Sequence, residues 1–130
     1  MKIYLDNCCF NRPFDDQKQL RIKLETEAKL DIQKRIVQGK IELAWSYILD
    51  LENEANPFEQ RRLTIGDWKV HACVITGETN EILKTAERFE RMGARSKDAL
   101  HLACAVAMKC EFFLTTDDQL VKKVSDVAEI

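Results

Sequence analysis

Four acidic residues occupy positions where a predicted strand ends or a predicted helix begins: Asp6, Glu52, Asp98 and Asp117. In an open α/β sheet such positions converge on one crevice beyond the carboxyl ends of the parallel strands. Carboxylates that crowd together repel one another, and protons or a cation must offset that repulsion. A hard divalent ion with oxygen ligands, Mg²⁺ or Mn²⁺, would do so. The sequence therefore predicts a shared metal site.

Two of these carboxylates also suit a turn or a helix cap. Asp6 follows the first predicted strand directly, and aspartate is common in turns. Asp117 follows the predicted strand 112–114 and could cap the last helix, a contribution of about 1 kcal/mol. The neighbouring Asp118 lies further from the strand and stays open as an alternative ligand.

The other two carboxylates belong to predicted helices. Asp98 falls in a first helical turn, where the helix dipole favours negative charge. It also begins an otherwise apolar segment, so its charge needs a partner. Glu52 comes six residues after Ser46, two helical turns from the end of a strand. Glu54 competes with it and stays open as a further member of the site.

Strands and helices alternate along the chain. The predicted strands are Lys2–Leu5, Ile41–Trp45 and Phe112–Leu114, while Trp68–Ile75 is ambiguous. The predicted helices are Asp16–Gln38, one that follows Ser46 and contains Glu52, Phe58–Ile65, Glu78–Met92, Lys97–Lys109 and Asp117–Val124. This alternation predicts an α/β fold with a parallel sheet.

Hydrophobic patterning predicts which helix faces are buried. In the first long helix Leu20, Leu24, Ala28, Ile32 and Ile36 recur at every fourth residue, and we expect them to face the core. The helix 97–109 is apolar nearly all round, which predicts burial on every side.

His101 lies within the apolar helix 97–109, three residues beyond Asp98 and on the same helix face. Its surroundings favour a hydrogen-bonded core histidine over a residue that supports the acidic site.

Composition indicates one domain, residues 1–130. Apolar residues make up 45% and charged residues 32%, with a net charge of −2, a balance typical of a globular protein. No apolar run reaches the roughly 18 residues of a membrane span, and the N-terminus reads as a strand, so we expect a cytoplasmic protein without membrane contact. Five cysteines without a C-x-x-C pair predict neither a disulfide framework nor a zinc site.

Four short segments carry a family resemblance. They are Ile3–Asn7, Ser46–Asn53, Lys97–Ala103 and Phe113–Asp117, and their order and spacing extend along the whole chain. Together they resemble the PIN-domain family of Mg²⁺- or Mn²⁺-dependent ribonucleases, which includes the toxins of VapC-type toxin–antitoxin pairs. The resemblance implies a three-layer α/β/α sandwich with a central parallel sheet.

The resemblance also implies roles for individual residues. Asp6 and Asp98 would be the principal metal ligands, and Asp117 would complete the shell directly or through water. Glu52 would orient the attacking water or act as general base. Thr115 corresponds to a hydroxyl that is frequent before the last acid of the family. One or two ions would suit such a site.

The implied partners are RNA, an antitoxin whose basic segment blocks the acidic site, and a second copy of the chain in a homodimer. Arg12, Arg61 and Arg62 are the candidate phosphate contacts, because phosphate is bound mainly by basic side chains. The sequence leaves RNA against DNA open.

Two features depart from the family pattern. Asn7–Pro13 replaces the usual Ser or Thr context after the first acid, and Ile130 leaves little room for a full last strand.

Three other functions compete with a ribonuclease. A PIN-like module could bind RNA or protein with weak or no catalysis, although the four acids are all present. A response-regulator receiver would need a lysine after the last strand, where Thr115-Thr116-Asp117 stands. A haloacid-dehalogenase-type phosphatase would need a second aspartate two residues after Asp6, where Cys8 stands.

Overall fold

The central sheet has four strands, all parallel. The structure, a computed structural model, describes residues 1–124. Residues 125–130, where we expected little room for a full last strand, lie outside the described residues. The strands are β1 (Lys2–Leu5), β2 (Glu42–Ser46), β3 (Ala72–Thr76) and β4 (Phe112–Leu114), in the order β3-β2-β1-β4. All three pairings are parallel, which confirms the α/β prediction.

Seven helices connect or follow the strands within residues 1–124. They are α1 (Asn7–Asn11), α2 (Leu20–Val37), α3 (Tyr47–Glu54), α4 (Glu59–Asp67), α5 (Asn80–Arg91), α6 (Ser96–Ala107) and α7 (Asp118–Val124). Short 3-10 turns cover Arg12–Phe14 and Trp68–His71, so the ambiguous segment divides into a turn and then β3. None of the described helices is both long and apolar enough to cross a membrane.

The two faces of the sheet are covered by different helices. Tyr4 points to one face, where its ring stacks on Phe113 at 5.4 Å and meets His101 of α6 edge-on at 5.6 Å. Neighbouring side chains of β1 and β4 point to the other face, towards α2, and line a groove with Ile32. The helices therefore form two layers around the sheet, as predicted.

The buried face of α2 differs from the prediction. Leu20 is 71% exposed and Leu24 is 54% exposed, whereas Thr26, Lys29 and Gln33 are buried. A helix turns about 100° per residue, so a stripe at every fourth residue rotates by roughly 40° at each step. Over the four steps of the predicted stripe this drift reaches about 160°. Residues at every fourth position therefore do not stay on one side of α2 over its full length.

The remaining helices agree more closely with the sequence pattern. Helix α6 is buried at Ala99, Leu102, Ala103 and Ala105, as its apolar composition predicts. Helix α2 begins four residues later than predicted. Segment 16–19 forms a turn there, and the side chain of Asp16 accepts the backbone N–H of Lys18.

Candidate active site

The site lies where the order of the sheet reverses. From β1 the chain passes to β2 and β3 on one side, and β4 returns to the other side of β1. Parallel α/β sheets bind ligands in the crevice beyond the strands at such a point. Asp6 follows β1 here, and its backbone N–H donates to Leu114 O of β4 at 3.0 Å. Thr115 then donates its hydroxyl to Asp6 Oδ2 at 2.9 Å.

Asp6 is buried, with 7% of its surface exposed. Its Oδ1 accepts the backbone N–H of Asn7 at 2.8 Å, which caps α1. The thiol of Cys8 lies 3.6 Å from Oδ2. Asp6 is thus a cap, as its position suggested, and also the innermost carboxylate of the crevice.

Asp98, in the first turn of α6, is in the electrostatic field of the other acids. Its pKa is raised above the ordinary value by burial and then by the charges of Asp6, Asp117 and Glu52, which outweigh the opposing effect of His101. Removal of a proton from Asp98 adds one more negative charge to an acidic cluster. The fold therefore brings the four predicted carboxylates within interaction range.

Asp117 combines two local roles. Its backbone N–H donates to the Thr115 hydroxyl at 3.1 Å, which connects it to Asp6. Its Oδ1 accepts the backbone N–H groups of Gln119 and Leu120 at 3.0 and 3.2 Å, at the start of α7. The neighbouring Asp118 instead forms an exposed ion pair with Arg21 at 2.8 Å.

Glu52 is held by histidine. Its Oε1 lies 2.5 Å from His101 Nε2. Burial raises the pKa of Glu52, but the hydrogen bond and electrostatic effect of His101, the charge of Lys97 and a hydrogen bond from Asn7 outweigh burial and leave it below the ordinary value. Glu52 is therefore ionised at neutral pH. Glu54, the alternative, is exposed.

His101 joins the site although the sequence favoured a core role. It is fully buried, and Nδ1 lies 2.5 Å from the hydroxyl of Tyr4. Nε2, besides its contact with Glu52, lies 3.8 Å from Asp6 Oδ1. The signal in the sequence was its spacing of three from Asp98, which places both side chains on one side of α6.

Cys8 is a further site residue that sequence reasoning did not assign. Its sulfur lies 3.6 Å from Thr115 Oγ1 and accepts the backbone N–H of Thr116 at 3.4 Å. A hydrogen bond from Cys9 outweighs burial and the charge of Asp6, and lowers the pKa of the Cys8 thiol to about 7.

The predicted phosphate contact Arg12 lies at the rim of the site. It donates to Thr116 Oγ1 at 3.3 Å, and carboxylates of Asp15 and Glu25 lie 3.1 and 3.3 Å from its guanidinium nitrogens. Its charge is therefore partly neutralised.

The side chains of Arg61 and Arg62 both form hydrogen bonds within the protein. Arg61 donates to Phe14 O at 2.7 Å, pairs with Asp15 at 3.3 Å and lies over the ring of Phe58. Arg62 donates to Asn56 O at 3.2 Å. The Arg61 contacts hold α4 against the segment after α1, and a role of either arginine in RNA binding stays a prediction.

The donor set fits a hard cation that retains water. Within residues 1–124 no three His, Cys, Asp or Glu side chains already form a group that could hold a metal ion. Mg²⁺ is commonly held by one or two carboxylates and several waters, so it does not need such a group. Asn7 Oδ1, next to Asp6 in the chain, is a buried oxygen without a hydrogen-bond partner among residues 1–124. An oxygen of this kind is a suitable acceptor for a ligand water.

Comparisons with known proteins give a match in structure and none in sequence. No family model matches the chain, and no curated protein does. One chain in the crystal structure of VapBC2 from Rickettsia felis superposes on this chain with a TM-score of 0.60. That structure contains a DNA fragment from the VapBC2 promoter. The match covers 100% of this chain and 96% of that chain. The fold is a sandwich of helices on both faces of a four-stranded parallel sheet, consistent with the PIN-like fold that the sequence resemblance implied. The two sequences are only 12% identical, so the likeness is one of fold.

The sandwich accounts for the convergence of the acids. Asp6 and Asp117 follow two adjacent parallel strands, and Asp98 lies in the first turn of α6, whose His101 contacts Tyr4 of β1. Side chains from three separate elements thus reach one end of the sheet.

Proposed function

We propose that this protein is a metal-dependent endoribonuclease that hydrolyses phosphodiester bonds of RNA. The observation that carries the proposal is the convergence of Asp6, Asp98 and Asp117 from three elements on one crevice, where burial and then the other carboxylates raise the pKa of Asp98. Groups with perturbed pKa values cluster at functional sites. A crevice that collects several carboxylates is well suited to a cation, which offsets their mutual repulsion.

Asp6 and Asp98 would be the principal ligands of the ion, Mg²⁺ or Mn²⁺, and Asp117 would complete the shell directly or through water. When bound, a divalent ion would supply Lewis acidity toward the phosphate and would make the attacking water easier to deprotonate. The Thr115 hydroxyl fixes one oxygen of Asp6 and leaves its other lone pairs for ligands, since a carboxylate has about four. The backbone N–H of Asp117 donates to the same hydroxyl, which fixes the loop 115–117 in position relative to Asp6.

Glu52 orients the attacking water. It is ionised at neutral pH and held at Oε1 by His101, so it acts as a hydrogen-bond acceptor of fixed direction. A carboxylate with a lowered pKa is a weak base, and its main contribution is to align the water O–H. Proximity and alignment of this kind account for much of the rate enhancement in hydrolysis.

Substrate binding depends on the same charges. Without a cation the four carboxylates repel RNA phosphates, so metal is required for binding as well as for cleavage. Arg12, at the rim, is the nearest of the predicted phosphate contacts to the site loop. Arg61 and Arg62 would reach RNA only on release from their present contacts.

The partners we propose are an antitoxin and a second copy of the chain. The likeness to a chain in VapBC2 supports a toxin–antitoxin setting for this fold. An antitoxin segment with basic side chains would complement the acidic crevice and exclude RNA from it.

Cleavage of a mixed RNA panel with Mg²⁺, Mn²⁺ or EDTA tests the proposal. Wild type is compared with Asp6→Asn, and with Asp31→Asn as a matched control, because Asp31 is an exposed α2 residue paired with Arg35. We expect cleavage that needs metal, is lost in Asp6→Asn and is kept in Asp31→Asn. A parallel DNA panel identifies the nucleic acid.

Other outcomes have distinct meanings. Metal binding that depends on Asp6 without cleavage would indicate a binding module or a toxin with a narrow RNA target. Neither binding nor cleavage would leave the acids as caps and turns only.

A further inference from the structure

A chain of buried hydrogen bonds leads from the core to Glu52. Ser46 Oγ lies 2.6 Å from the hydroxyl of Tyr4, which lies 2.5 Å from Nδ1 of His101. Nε2 of His101 lies 2.5 Å from Oε1 of Glu52. Tyr4, Ser46 and His101 are each 0% exposed. Burial of polar groups is costly unless they are paired, and here each group is a partner for the next.

The donors of this chain have one consistent direction. An ionised carboxylate only accepts, so His101 Nε2 donates to Glu52. In a neutral imidazole Nδ1 then accepts the hydroxyl proton of Tyr4. The Tyr4 oxygen accepts from Ser46, whose own oxygen accepts the backbone N–H of Leu49 at 3.3 Å. Every group therefore donates towards Glu52.

The chain joins the elements that carry the acids. Tyr4 lies on β1, two residues before Asp6. His101 lies on α6, one turn beyond Asp98. Ser46 caps α3, the helix that carries the glutamate. A shift of any one element would change the orientation of the glutamate carboxylate.

Simple core packing does not explain the histidine. Its neighbours Ala99, Leu102 and Ala103 are apolar and buried. An apolar residue at position 101 would fill the same space without two ring nitrogens to satisfy. The contact of Nε2 with a carboxylate in the crevice is the part that packing alone does not require.

We propose that His101 is a positioning residue for phosphodiester hydrolysis: held by Tyr4 and Ser46, it directs the Glu52 carboxylate at the attacking water. The inference rests on the proposed function, because it assigns a task to Glu52 in that reaction.

The tautomer of His101 in metal-free protein is the first test. The chain has two histidines, so His71→Gln assigns the ¹⁵N signals of His101. In EDTA we expect protonated Nε2 and unprotonated Nδ1, with the Nδ1 signal shifted by Tyr4→Phe. Tyr47→Phe, which removes a hydroxyl outside the chain of hydrogen bonds, should leave that signal unchanged. A protonated Nδ1 with a bare Nε2, or no response to Tyr4→Phe, overturns the inference.

Cleavage kinetics provide the second test. His101→Leu should lower kcat about 100-fold and leave KM for RNA within about twofold, as expected when an interaction specific to the transition state is lost. His101→Gln, whose amide N–H can still donate to Glu52, should recover roughly tenfold of that loss. Tyr4→Phe should lower kcat by about three- to tenfold, and Tyr47→Phe should match wild type.

The two tests distinguish a failure of the positioning role from a failure of the proposed ribonuclease function. Wild type that cleaves while a folded His101→Leu or His101→Gln variant cleaves equally well overturns the positioning role alone. A change in KM without a change in kcat does the same. Wild type that cleaves no RNA with either ion rejects the proposed function, and the positioning role with it.

Discussion

At the residue scale, the acids of the site each have a local structural task. Asp6 caps α1 and Asp117 accepts two backbone N–H groups of α7, while Asp98 lies in the first turn of α6. These tasks place the side chains accurately, because a cap fixes the carboxylate relative to the helix axis. Local capping and the shared site are therefore compatible uses of the same oxygens.

Asp98→Asn should stabilise the metal-free protein and abolish cleavage. The raised pKa of Asp98 shows that its charge is unfavourable in the fold, so a neutral amide removes that repulsion. Because the side chain is partly exposed, we expect a gain of about 1 kcal/mol or less, or roughly 3 °C in Tm. Thermal unfolding in EDTA measures the shift. Glu54→Gln, an exposed neighbour of the site, is the control, and a lower Tm in Asp98→Asn would contradict the assignment.

Lys29 of α2 is a second buried charge, outside the set of acids. It is 6% exposed, and its Nζ lies 5.2 Å from the ring centre of Phe10 and 5.6 Å from that of Trp68. Burial lowers the pKa of Lys29 to about 8 from an ordinary 10.5. The ammonium therefore costs stability at neutral pH.

Lys29→Met should stabilise the protein at neutral pH, and the effect should fade at high pH. Between about pH 8 and 10.5 the unfolded chain binds the proton that the folded chain has released, so wild-type stability rises with pH. Below pH 8 both states are protonated and the full cost, on the order of 1–3 kcal/mol, is present. Urea unfolding of both proteins from pH 7 to 10 measures the difference. A difference that does not change with pH would contradict this origin.

At the element scale, the junction of β2 and α3 sets the position of Glu52. Ser46 is the last residue of β2 and the cap of α3, where its oxygen accepts Leu49 N–H. The cap at the start of α5 is similar, since the Thr79 hydroxyl accepts Ile82 N–H at 3.1 Å. Ser46 differs from Thr79 because it also bonds Tyr4.

Ser46→Ala should therefore cost more than Thr79→Ala. Loss of a cap typically costs about 1 kcal/mol, the value expected for Thr79→Ala. Ser46→Ala also removes a buried partner of Tyr4, which adds about 1–2 kcal/mol. The urea concentration at the midpoint of unfolding measures both stability costs, provided that the slope of the transition is unchanged. Equal costs would mean that the Tyr4 contact adds nothing to stability.

At the scale of the whole molecule, the charge of the crevice couples metal binding to folding. The four acids lie far apart in the unfolded chain, whereas the fold brings them together beyond the carboxyl end of the parallel strands. A cation that binds only the folded state stabilises it by about 2.7 kcal/mol at a concentration 100 times Kd.

Mg²⁺ or Mn²⁺ should raise the Tm of wild type by several degrees and leave Asp6→Asn nearly unchanged. The reason is that Asp6 is the innermost carboxylate, bonded to the Thr115 hydroxyl that also holds the backbone of Asp117. Asp31→Asn should respond like wild type. Equal shifts in wild type and Asp6→Asn would mean that the ions bind elsewhere.

The sequence by itself determined the parallel α/β class, most elements to within a few residues, and the candidate acids. Patterns of strand, turn and helix are local, and a carboxylate after a strand is visible without the fold. The same locality misled the assignment of the α2 face, because Leu20 and Leu24 lie on the exposed side although they continue a hydrophobic stripe.

Only the tertiary structure decided what His101 and Lys29 contact. Their partners come from other elements: Tyr4 and Glu52 for the histidine, and Phe10 for the lysine. A single side chain shows its chemistry in the sequence, but a hydrogen bond or a buried charge depends on two groups that the chain separates by as many as 97 residues. Distance in space, which the packed sheet and helices create, decides between a core residue and a member of the site.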